Sequence, residues 1–410
     1  MSRKVYPYTM LAVLTGLNVL NYIDRNLVVG VQPLVQKEFH INDEQAGTLT
    51  TAFFICYMIA APLVGWLGDR LPRKFIVLFG ILIWSGFTLF TWVVHDYGQL
   101  LFRHTIVGIG EASYATIAPT LVADSFPIER RGRMLSIFYL GLPVGSALGI
   151  LLGGMLGEPL GWRVPFMLAG IPGFLLALTF WFLPEPERGQ TEQAAFSPER
   201  STVLGLARNP AFITASLGMA MYTFAVGGMQ VWVPTFLHRT RGMSVSSAAA
   251  VFGLIAGFNG IVATLLGGSI GDRMLKRHDG AYYKFSGMAM VVAVPLMVLA
   301  IYTTGPLMFP AIFCAVFALL ILTGPSNAAV VNSVDAGIRS TALAVNTFVI
   351  HALGDALSPR LIGRISDKTS LQTAFVAAFV AAGISAVLFL YGARFAPKLK
   401  PAANAAAVVP

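Results

Sequence analysis

The sequence predicts an all-α integral membrane protein made of two similar six-helix halves, and three observations support this prediction. The chain is 56% apolar and 11% charged, with a mean hydropathy of +0.72, whereas a soluble domain carries roughly 25% charge. Its apolar residues form runs of about 20, the length of helix that crosses a bilayer. A charged loop of the first half also returns in the second half.

The repeated loop has the sequence GWLGDRLPRK at residues 65–74 and GSIGDRMLKR at residues 268–277. Two glycines, an aspartate and an arginine therefore recur 203 positions later, which is typical of membrane bundles built from internal repeats. Asp69 falls where an apolar helix ends, an unfavourable place for a carboxylate, so we expect it to need a partner from another element. A single copy would also fit a basic loop that only fixes orientation, but the second copy argues against that interpretation.

Twelve membrane spans follow from the apolar runs, six in each half. Those of the first half are predicted at 8–35, 45–67, 75–94, 98–122, 134–156 and 164–183. Those of the second half are predicted at 210–237, 246–270, 282–303, 307–331, 341–363 and 371–394. An even number of spans places both termini on one side of the membrane.

The domain boundaries follow from the polar stretches. Residues 1–183 are predicted to form the first bundle and residues 209–396 the second. The linker at 184–208 opens with Pro-Glu-Pro-Glu-Arg-Gly; proline ends the helix, and a polar run of this kind cannot enter lipid. The alanine-rich stretch at 397–410 is predicted to be a disordered tail.

Charge placement predicts the orientation. Arginine and lysine concentrate in the loops on the side of the termini, so by the positive-inside rule both termini are expected in the cytoplasm. The net charge of +9 does not indicate nucleic-acid binding, because the bases sit in separate short loops rather than on one face. The compact loops and the lack of an organelle signal predict a bacterial inner membrane protein, and we expect a monomer in the lipid bilayer.

Several features of the sequence together resemble a known family of membrane proteins. The duplicated loop, the six-plus-six layout and the Pro-Glu-Pro linker resemble the Major Facilitator Superfamily over the whole chain. Four shorter motifs resemble the Spinster branch of that superfamily: NYIDRN at 21–26, GIGEASY at 108–114, DSFP at 124–127 and GWR at 161–163. The resemblance implies a secondary transporter that works by alternating access. It also implies a lipid-like substrate of the lysophospholipid or sphingosine-1-phosphate type.

The resemblance also implies a role for the repeated loop. In the superfamily, such an aspartate and arginine hold the two bundles together at the cytoplasmic face in the outward-open state. Gating is therefore predicted for Gly65, Asp69, Arg70, Arg73, Arg131, Asp272 and Arg273.

Ionisable residues inside the apolar spans are the strongest functional signal. Asp24 and Arg25 lie midway along the first span, and Glu111 and Arg103 lie in the fourth. A charge at mid-bilayer is costly unless it faces a polar cavity or a partner. We predict that Asp24 and Glu111 carry protons, and that Arg25 and Arg103 bind an anionic headgroup with paired hydrogen bonds. The alternative is an ion pair, for example between Arg25 and Glu111, that only ties two helices together.

The second half lacks these charges and offers aromatic and amide side chains instead. We predict that Tyr222, Asn346 and Thr347 line the substrate site together with Tyr114 of the first half, although such residues are also ordinary core or lipid-facing residues. One charged wall and one apolar wall suit a ligand with an ionic head and an apolar tail.

His351 lies four residues before Asp355, so the two share a helix face. They form either a second proton-coupling pair or a plain hydrogen bond near a helix end. The other histidines are predicted to be loop or interface residues.

Glycines and Pro143 along the fifth span allow close helix packing and a bend. In the superfamily this pattern resembles the signature of exporters and antiporters, although the spacing alone indicates only tight packing.

Other functional classes find little support. The chain has no metal-ligand spacing and no nucleotide-binding loop, so we expect no enzyme activity, no cofactor and no ATP-driven pump. The alternatives that remain are a proton-coupled carrier of small organic anions, a multidrug antiporter, or a channel. Saturable flux that responds to a proton gradient distinguishes a carrier from a channel.

Overall fold

The computed structural model describes residues 6–187, 203–334 and 338–397, and within them every regular element is a helix. The first half contains seven helices: α1 (Tyr6–Phe39), α2 (Asp43–Gly68), α3 (Arg73–Phe90), α4 (Tyr97–Ser125), α5 (Ile128–Tyr139), α6 (Gly141–Leu160) and α7 (Val164–Trp181). A short helix, α8 (Val203–Leu206), precedes the second half.

The second half continues the numbering in chain order. Its helices are α9 (Pro210–Arg239), α10 (Val245–Leu275), α11 (Ala281–Tyr302), α12 (Met308–Leu320), α13 (Thr323–Asn332), α14 (Arg339–Ile350), α15 (Ser358–Lys368), α16 (Leu371–Ala374) and α17 (Val376–Gly392). Together the two sets form the two six-helix bundles that the sequence predicts. Most of the interior of the predicted linker and nearly all of the predicted tail lie outside the described residues.

Ten helices of the described chain are long and apolar enough to cross a membrane. The two other predicted spans are also helical but differ in character. Helix α1 is 34 residues long and buries polar side chains along its length, among them Asn18, Asn21, Asp24 and Gln32. The eleventh span is interrupted between α14 and α15, so neither piece alone has the length of a span.

Three predicted spans are broken helices. The fifth divides between α5 and α6 at Leu140, just before Pro143, which has no N–H to donate to the preceding turn. The tenth divides into α12 and α13, and the eleventh into α14 and α15. Between the latter lies a π-helical turn, His351–Asp355, whose wider spacing is seen in the bond from the Ala356 N–H to the His351 carbonyl, 3.1 Å.

Packing follows the two-bundle plan. In the first half α1 packs on α6, and α4 packs on α2 and α3; in the second half α17 packs on α9 and α11. The halves meet where α2 packs on α15 and α6 packs on α10. The described termini, Tyr6 and Pro397, lie at one end of the molecule, which we call the near end; the loops after α1, α3, α9 and α11 lie at the far end.

The two halves contact each other closely at the far end. The α2–α15 contact brings backbones together, because a Cβ on Gly47 would lie 2.3 Å from the Pro359 carbonyl oxygen. In the α6–α10 contact a Cβ on Gly154 would lie 2.2 Å from the Ala249 Cβ. Only glycine allows such approaches, so these residues close the far end between the bundles.

Candidate functional site

Arg25 and Glu111 form an ion pair between α1 and α4. Arg25 donates from Nε and Nη2 to the same carboxylate oxygen, Glu111 Oε2, at 2.9 Å and 2.7 Å. The Glu111 side chain is fully buried, whereas 14% of the Arg25 side chain is accessible. The other Glu111 oxygen, Oε1, is buried without a hydrogen-bond partner among the described residues. The pair is therefore neutral as a whole, but one carboxylate oxygen is left unsatisfied.

Four aromatic rings surround the Arg25 guanidinium, and we call them the aromatic cage. The Cζ of Arg25 lies 4.8 Å from the ring centroids of Tyr22 and Phe53, 5.4 Å from Tyr57 and 5.8 Å from Phe54. Aromatic faces attract a cation, more strongly where water is excluded. The cage therefore stabilises a positive charge at Arg25 even when Glu111 does not neutralise it.

The second half reaches the cage through His351. Its ring stacks on Phe54 with centroids 5.3 Å apart, and it meets the edge of Tyr57 at 5.8 Å. His351 Nδ1 also lies 2.9 Å from Asp355 Oδ1. This pair stands on the π-helical turn, a feature that is frequent at functional sites. The structure thus places the predicted His351 next to the Arg25–Glu111 pair, in the opposite bundle.

Asp24 and Arg103 form a second, more deeply buried pair. Arg103 Nη2 donates to Asp24 Oδ1 at 2.8 Å, and Thr88 donates to the other Asp24 oxygen. The Arg103 side chain is 0% accessible and that of Asp24 is 2% accessible. Further contacts of Arg103 are the Phe87 carbonyl at 3.1 Å and His104 Nδ1 at 2.9 Å. Neither member of this pair is exposed to a ligand in this conformation.

His104 corrects the sequence interpretation, which assigned the remaining histidines to loops and interfaces. It is buried within α4 and lies against Phe53, with ring centroids 5.6 Å apart. Because it bonds Arg103 and contacts the aromatic cage, it links the two ion pairs. Its position next to Arg103 in an apolar span was the signal that the sequence offered.

The other predicted substrate-binding residues lie apart from the cage contacts. Tyr114 is fully buried and donates to the Leu14 carbonyl. The Tyr222 hydroxyl bonds Thr323 Oγ1 at 2.9 Å. Asn346 is buried beside the Met219 sulfur, whereas Thr347 is exposed. Contact of these residues with a substrate stays a prediction, and for the buried ones it requires a rearrangement.

Two residues outside the predicted set connect the halves near the cage. Asn26 follows Arg25 in α1, and its Oδ1 accepts a 2.6 Å hydrogen bond from Gln230 Nε2 of α9. Asn26 Nδ2 donates to the Tyr22 carbonyl at 2.9 Å. Gln230 is a polar residue within an apolar stretch of the second half, but its partner could not be deduced from the sequence.

Arg73, one of the predicted gating residues, contacts two other motifs of the first half. Arg73 Nη1 lies 2.5 Å from Asp124 Oδ2, and Arg73 Nε lies 3.2 Å from Glu185 Oε1. Its backbone N–H also donates to Glu185 Oε1 at 3.1 Å. Arg73 thus connects three separate motifs, the repeated loop, the DSFP segment and the Pro-Glu-Pro segment, at the near end of the first bundle.

The remaining gating candidates also lie at the near end. Asp69 is the C-cap of α2, and a Cβ on Gly65 would lie 3.7 Å from Thr116 Cγ2 of α4. Arg70 stacks on Trp66, 4.1 Å from its ring centroid, and Asp272 accepts a 2.7 Å bond from the Tyr282 hydroxyl. Arg131 is partly buried and Arg273 is exposed. The gating role stays a prediction, because it concerns a state in which the near end is closed.

The GWR motif stabilises the far end of the first bundle. Arg163 Nη2 lies 2.7 Å from Glu38 Oε1, and Trp162 Nε1 donates to Glu38 Oε2 at 2.6 Å. The hydrogen bond from Arg163 and the contact with Trp162 lower the pKa of Glu38, which lies beyond the predicted first span. The carboxylate therefore stays charged to a lower pH and connects α1 to the start of α7.

Comparisons with known proteins decide the family. The Major Facilitator Superfamily model matches residues 14–359. Protein spinster homolog 1 of Bos taurus is 36% identical over 385 residues, which cover 87% of this chain and 72% of that protein. The chain belongs to the Spinster family of the Major Facilitator Superfamily. It is therefore a membrane transporter of the Spinster type.

Solved structures agree with this Spinster assignment. A bacterial homologue of the human lysosomal transporter Spinster, in an inward-facing and unoccupied conformation, has a TM-score of 0.86 and 25% identity, over 96% of this chain and 98% of that one. The inward-facing and occupied form has a TM-score of 0.85 and 24% identity, over 95% and 97% of the two chains. The all-α prediction of two six-helix bundles is confirmed.

Proposed function

We propose that this Spinster-type transporter couples the movement of protons to the movement of an amphipathic anionic lipid, with Arg25 and Glu111 as the coupled pair. The observation that carries the proposal is the geometry of the pair: a guanidinium that is partly accessible, ringed by four aromatic side chains, and neutralised by one buried carboxylate. An arginine in apolar surroundings needs an anionic partner. Glu111 supplies that anion when it is charged, and a ligand can supply it otherwise.

The coupling follows from charge balance. When Glu111 binds a proton, the Arg25 guanidinium loses its counter-charge and can form paired hydrogen bonds with a phosphate. When the ligand leaves, Glu111 gives up the proton and pairs with Arg25 again. The Glu111 carboxylate and the anionic headgroup thus take turns at the same guanidinium, and the proton stays on Glu111 while the ligand is bound.

The lipid character of the substrate is supported by the surroundings of Arg25. The rings of the aromatic cage and the neighbouring His351 offer apolar surface beside a cation, which suits a headgroup joined to an acyl chain. A lysophospholipid or a sphingosine-1-phosphate type of lipid is the class that we propose.

The conformation and orientation belong to the same proposal. The far end is closed by contacts between the halves, and the similar Spinster structures are described as inward-facing. We infer that the near end faces the cytoplasm, as the distribution of basic residues predicts, and that the chain functions in a bacterial inner membrane. Export, rather than uptake, agrees with the glycine-rich α6.

The test is lipid flux in proteoliposomes with and without an imposed pH gradient. A panel of labelled lysophospholipids with different acyl lengths should show saturable flux that increases in the presence of the gradient. Glu111→Gln should abolish the response to the gradient, whereas Glu38→Gln, at the far end, should retain it. Flux in Glu111→Gln that still follows the gradient at the wild-type rate would refute the coupling.

The same panel separates the alternatives. Competition that strengthens with acyl length supports a lipid substrate. Equal competition by short-chain carboxylates would instead support a carrier of small organic anions, since Arg25 would then bind a carboxylate and the tail would contribute nothing.

A further inference from the structure

The far end contains a second internal repeat, separate from the charged loop. In the first half, Gly154 lies four residues before Glu158 in α6, and in the second half Gly363 lies four residues before Asp367 in α15. The glycine recurs 209 positions later, and at the same offset an aspartate takes the place of the glutamate. Glu158 lies near the end of α6, which completes the fifth span, and Asp367 lies near the end of α15, which completes the eleventh span.

In the second half, Asp367 caps a helix of the opposite bundle. Its Oδ1 accepts the backbone N–H of Asp43 at 2.8 Å, and its Oδ2 accepts that of Glu44 at 2.9 Å. These are the first two residues of α2. The third N–H, of Gln45, goes to the side chain of Asn42 at 2.8 Å.

In the first half, Glu158 makes the matching contact with α10. Its Oε1 accepts the backbone N–H of Val245 at 3.2 Å, and its Oε2 accepts that of Ser246 at 2.8 Å. The third N–H, of Ser247, goes to Ser244 Oγ at 3.1 Å. The first turns of α2 and α10 are thus satisfied in the same way, two N–H groups by a carboxylate from the other bundle and one by the local cap residue.

The glycines make this arrangement possible. A Cβ on Gly363 would lie 2.3 Å from the Asp43 carbonyl oxygen, and a Cβ on Gly154 would lie 3.0 Å from the Val245 carbonyl oxygen. Each glycine lets its helix approach the start of the opposing helix. The acid one turn later then reaches the free N–H groups, where a negative charge is favoured.

We propose that Glu158 and Asp367 are paired gate residues, and we call their contacts the inter-bundle caps. They hold the far end closed, and both must release before that end can open. Each N–H group that loses its carboxylate must then find water, so the caps set the ratio of closed to open far ends. This proposal rests on the alternating access proposed above.

The two caps are not equally reinforced. Around the Asp367 cap, Asp43 also pairs with Arg239 at 2.8 Å and Glu44 pairs with Arg360 at 2.9 Å. Around the Glu158 cap, the added contact is the bond from Ser246 Oγ to the Gly154 carbonyl at 3.1 Å. We infer that the α6–α10 seam separates first when the far end opens.

The experiment measures the far-end distance by pulsed electron paramagnetic resonance in lipid nanodiscs. Spin labels go on His95→Cys and Thr304→Cys, two exposed far-end positions in opposite halves. The native cysteines are replaced by Cys56→Ser and Cys314→Ser. A Gly154→Ala background brings the open form into the measurable range, because the added Cβ prevents the close approach of α6 and α10.

In that background, Asp367→Asn should raise the ratio of molecules with a long label-to-label distance to molecules with a short one about three- to tenfold. This is the effect expected for one lost helix cap. Asp96→Asn is the matched control, since Asp96 caps α4 within its own half through the Gln99 N–H at 2.8 Å. This control should leave the ratio unchanged. Glu158→Gln in a Gly363→Ala background tests the other cap in the same way.

Equal ratios for the background and for Asp367→Asn would overturn the gate assignment, as would one short distance in every variant. The measurement uses neither substrate nor a pH gradient. A failure of lipid flux in vesicles, with the distance shifts intact, would therefore count against the proposed function and not against the caps.

Discussion

Pairing of opposite charges explains how this chain keeps Asp24, Arg25, Arg103 and Glu111 inside its first bundle. The pairs Arg25–Glu111 and Asp24–Arg103 each balance one acid with one base. They differ in accessibility, and we propose that a ligand competes for the first pair whereas the second holds helices together. Buried ion pairs contribute little net stability, but breaking one is costly.

The first prediction concerns the shape of the Arg25 side chain. Arg25→Lys keeps the charge but loses the planar group that meets Glu111 through two donors and stacks among four rings. We expect lipid flux in proteoliposomes to fall about tenfold or more. Arg163→Lys is the control, because Arg163 also pairs with an acid and contacts rings. Comparable loss in both variants would contradict a special role for Arg25.

The second prediction concerns the buried Asp24–Arg103 pair. Asp24→Asn leaves the Arg103 guanidinium buried without its counter-charge, which should cost about 3–5 kcal/mol of stability. We expect a clear fall in the thermal unfolding midpoint of the detergent-solubilised protein. The double variant Asp24→Asn/Arg103→Met should recover most of it, because no charge is left unpaired. A wild-type midpoint for Asp24→Asn alone would show that the pair is not structural.

At the scale of helices, glycine decides which elements can touch. Helix α1 packs on α6 so closely that a Cβ on Gly30 would lie 2.3 Å from the Ile150 carbonyl oxygen. A glycine also lets the π-helical turn pack closely on α9, since a Cβ on Gly354 would lie 2.1 Å from Thr223 Oγ1. Thr223 in turn donates to the Ile350 carbonyl at 3.1 Å, a group near the interrupted helix.

The third prediction tests this close packing. Gly30→Ala should destabilise the protein by about 1–3 kcal/mol, since backbone atoms cannot move aside as a side chain can. The measurement is the unfolding midpoint in detergent. Gly383→Ala is the control, because a Cβ there meets nothing within 4 Å and alanine favours a helix. An unchanged midpoint in Gly30→Ala would mean that α1 and α6 separate easily.

In the whole molecule, the two halves have the same helical architecture but different charged and polar side chains. The first bundle holds the Arg25–Glu111 and Asp24–Arg103 pairs, and the second contributes His351, which reaches the aromatic cage across the interface. The inter-bundle caps have equivalent contacts in the two halves, whereas the aromatic cage belongs to the first half. The repeat is thus retained in the parts that we propose to move and lost in the parts that we propose to bind a ligand.

The fourth prediction concerns orientation. If the near end is cytoplasmic, green fluorescent protein fused after Pro397 should fluoresce, and alkaline phosphatase fused after Thr240 should be active, because that loop lies at the far end. Both assays in bacterial cells give the topology directly. The reverse pattern, an inactive phosphatase at Thr240 and dark fusions at Pro397, would invert the proposed direction of the cycle.

The sequence by itself determined the apolar spans, the duplication and the residues that carry buried charge, because apolar length and repeated motifs are local properties of a chain. Only the tertiary structure decided the partners: it selected the Arg25–Glu111 pair, which the sequence offered as an alternative, and it joined Asp24 to Arg103 and Arg73 to two separate motifs. It also revealed the π-helical turn, the aromatic cage and the inter-bundle caps. These depend on which helix faces join and how closely glycines let them approach, and distances of this kind arise only when segments far apart in sequence pack together.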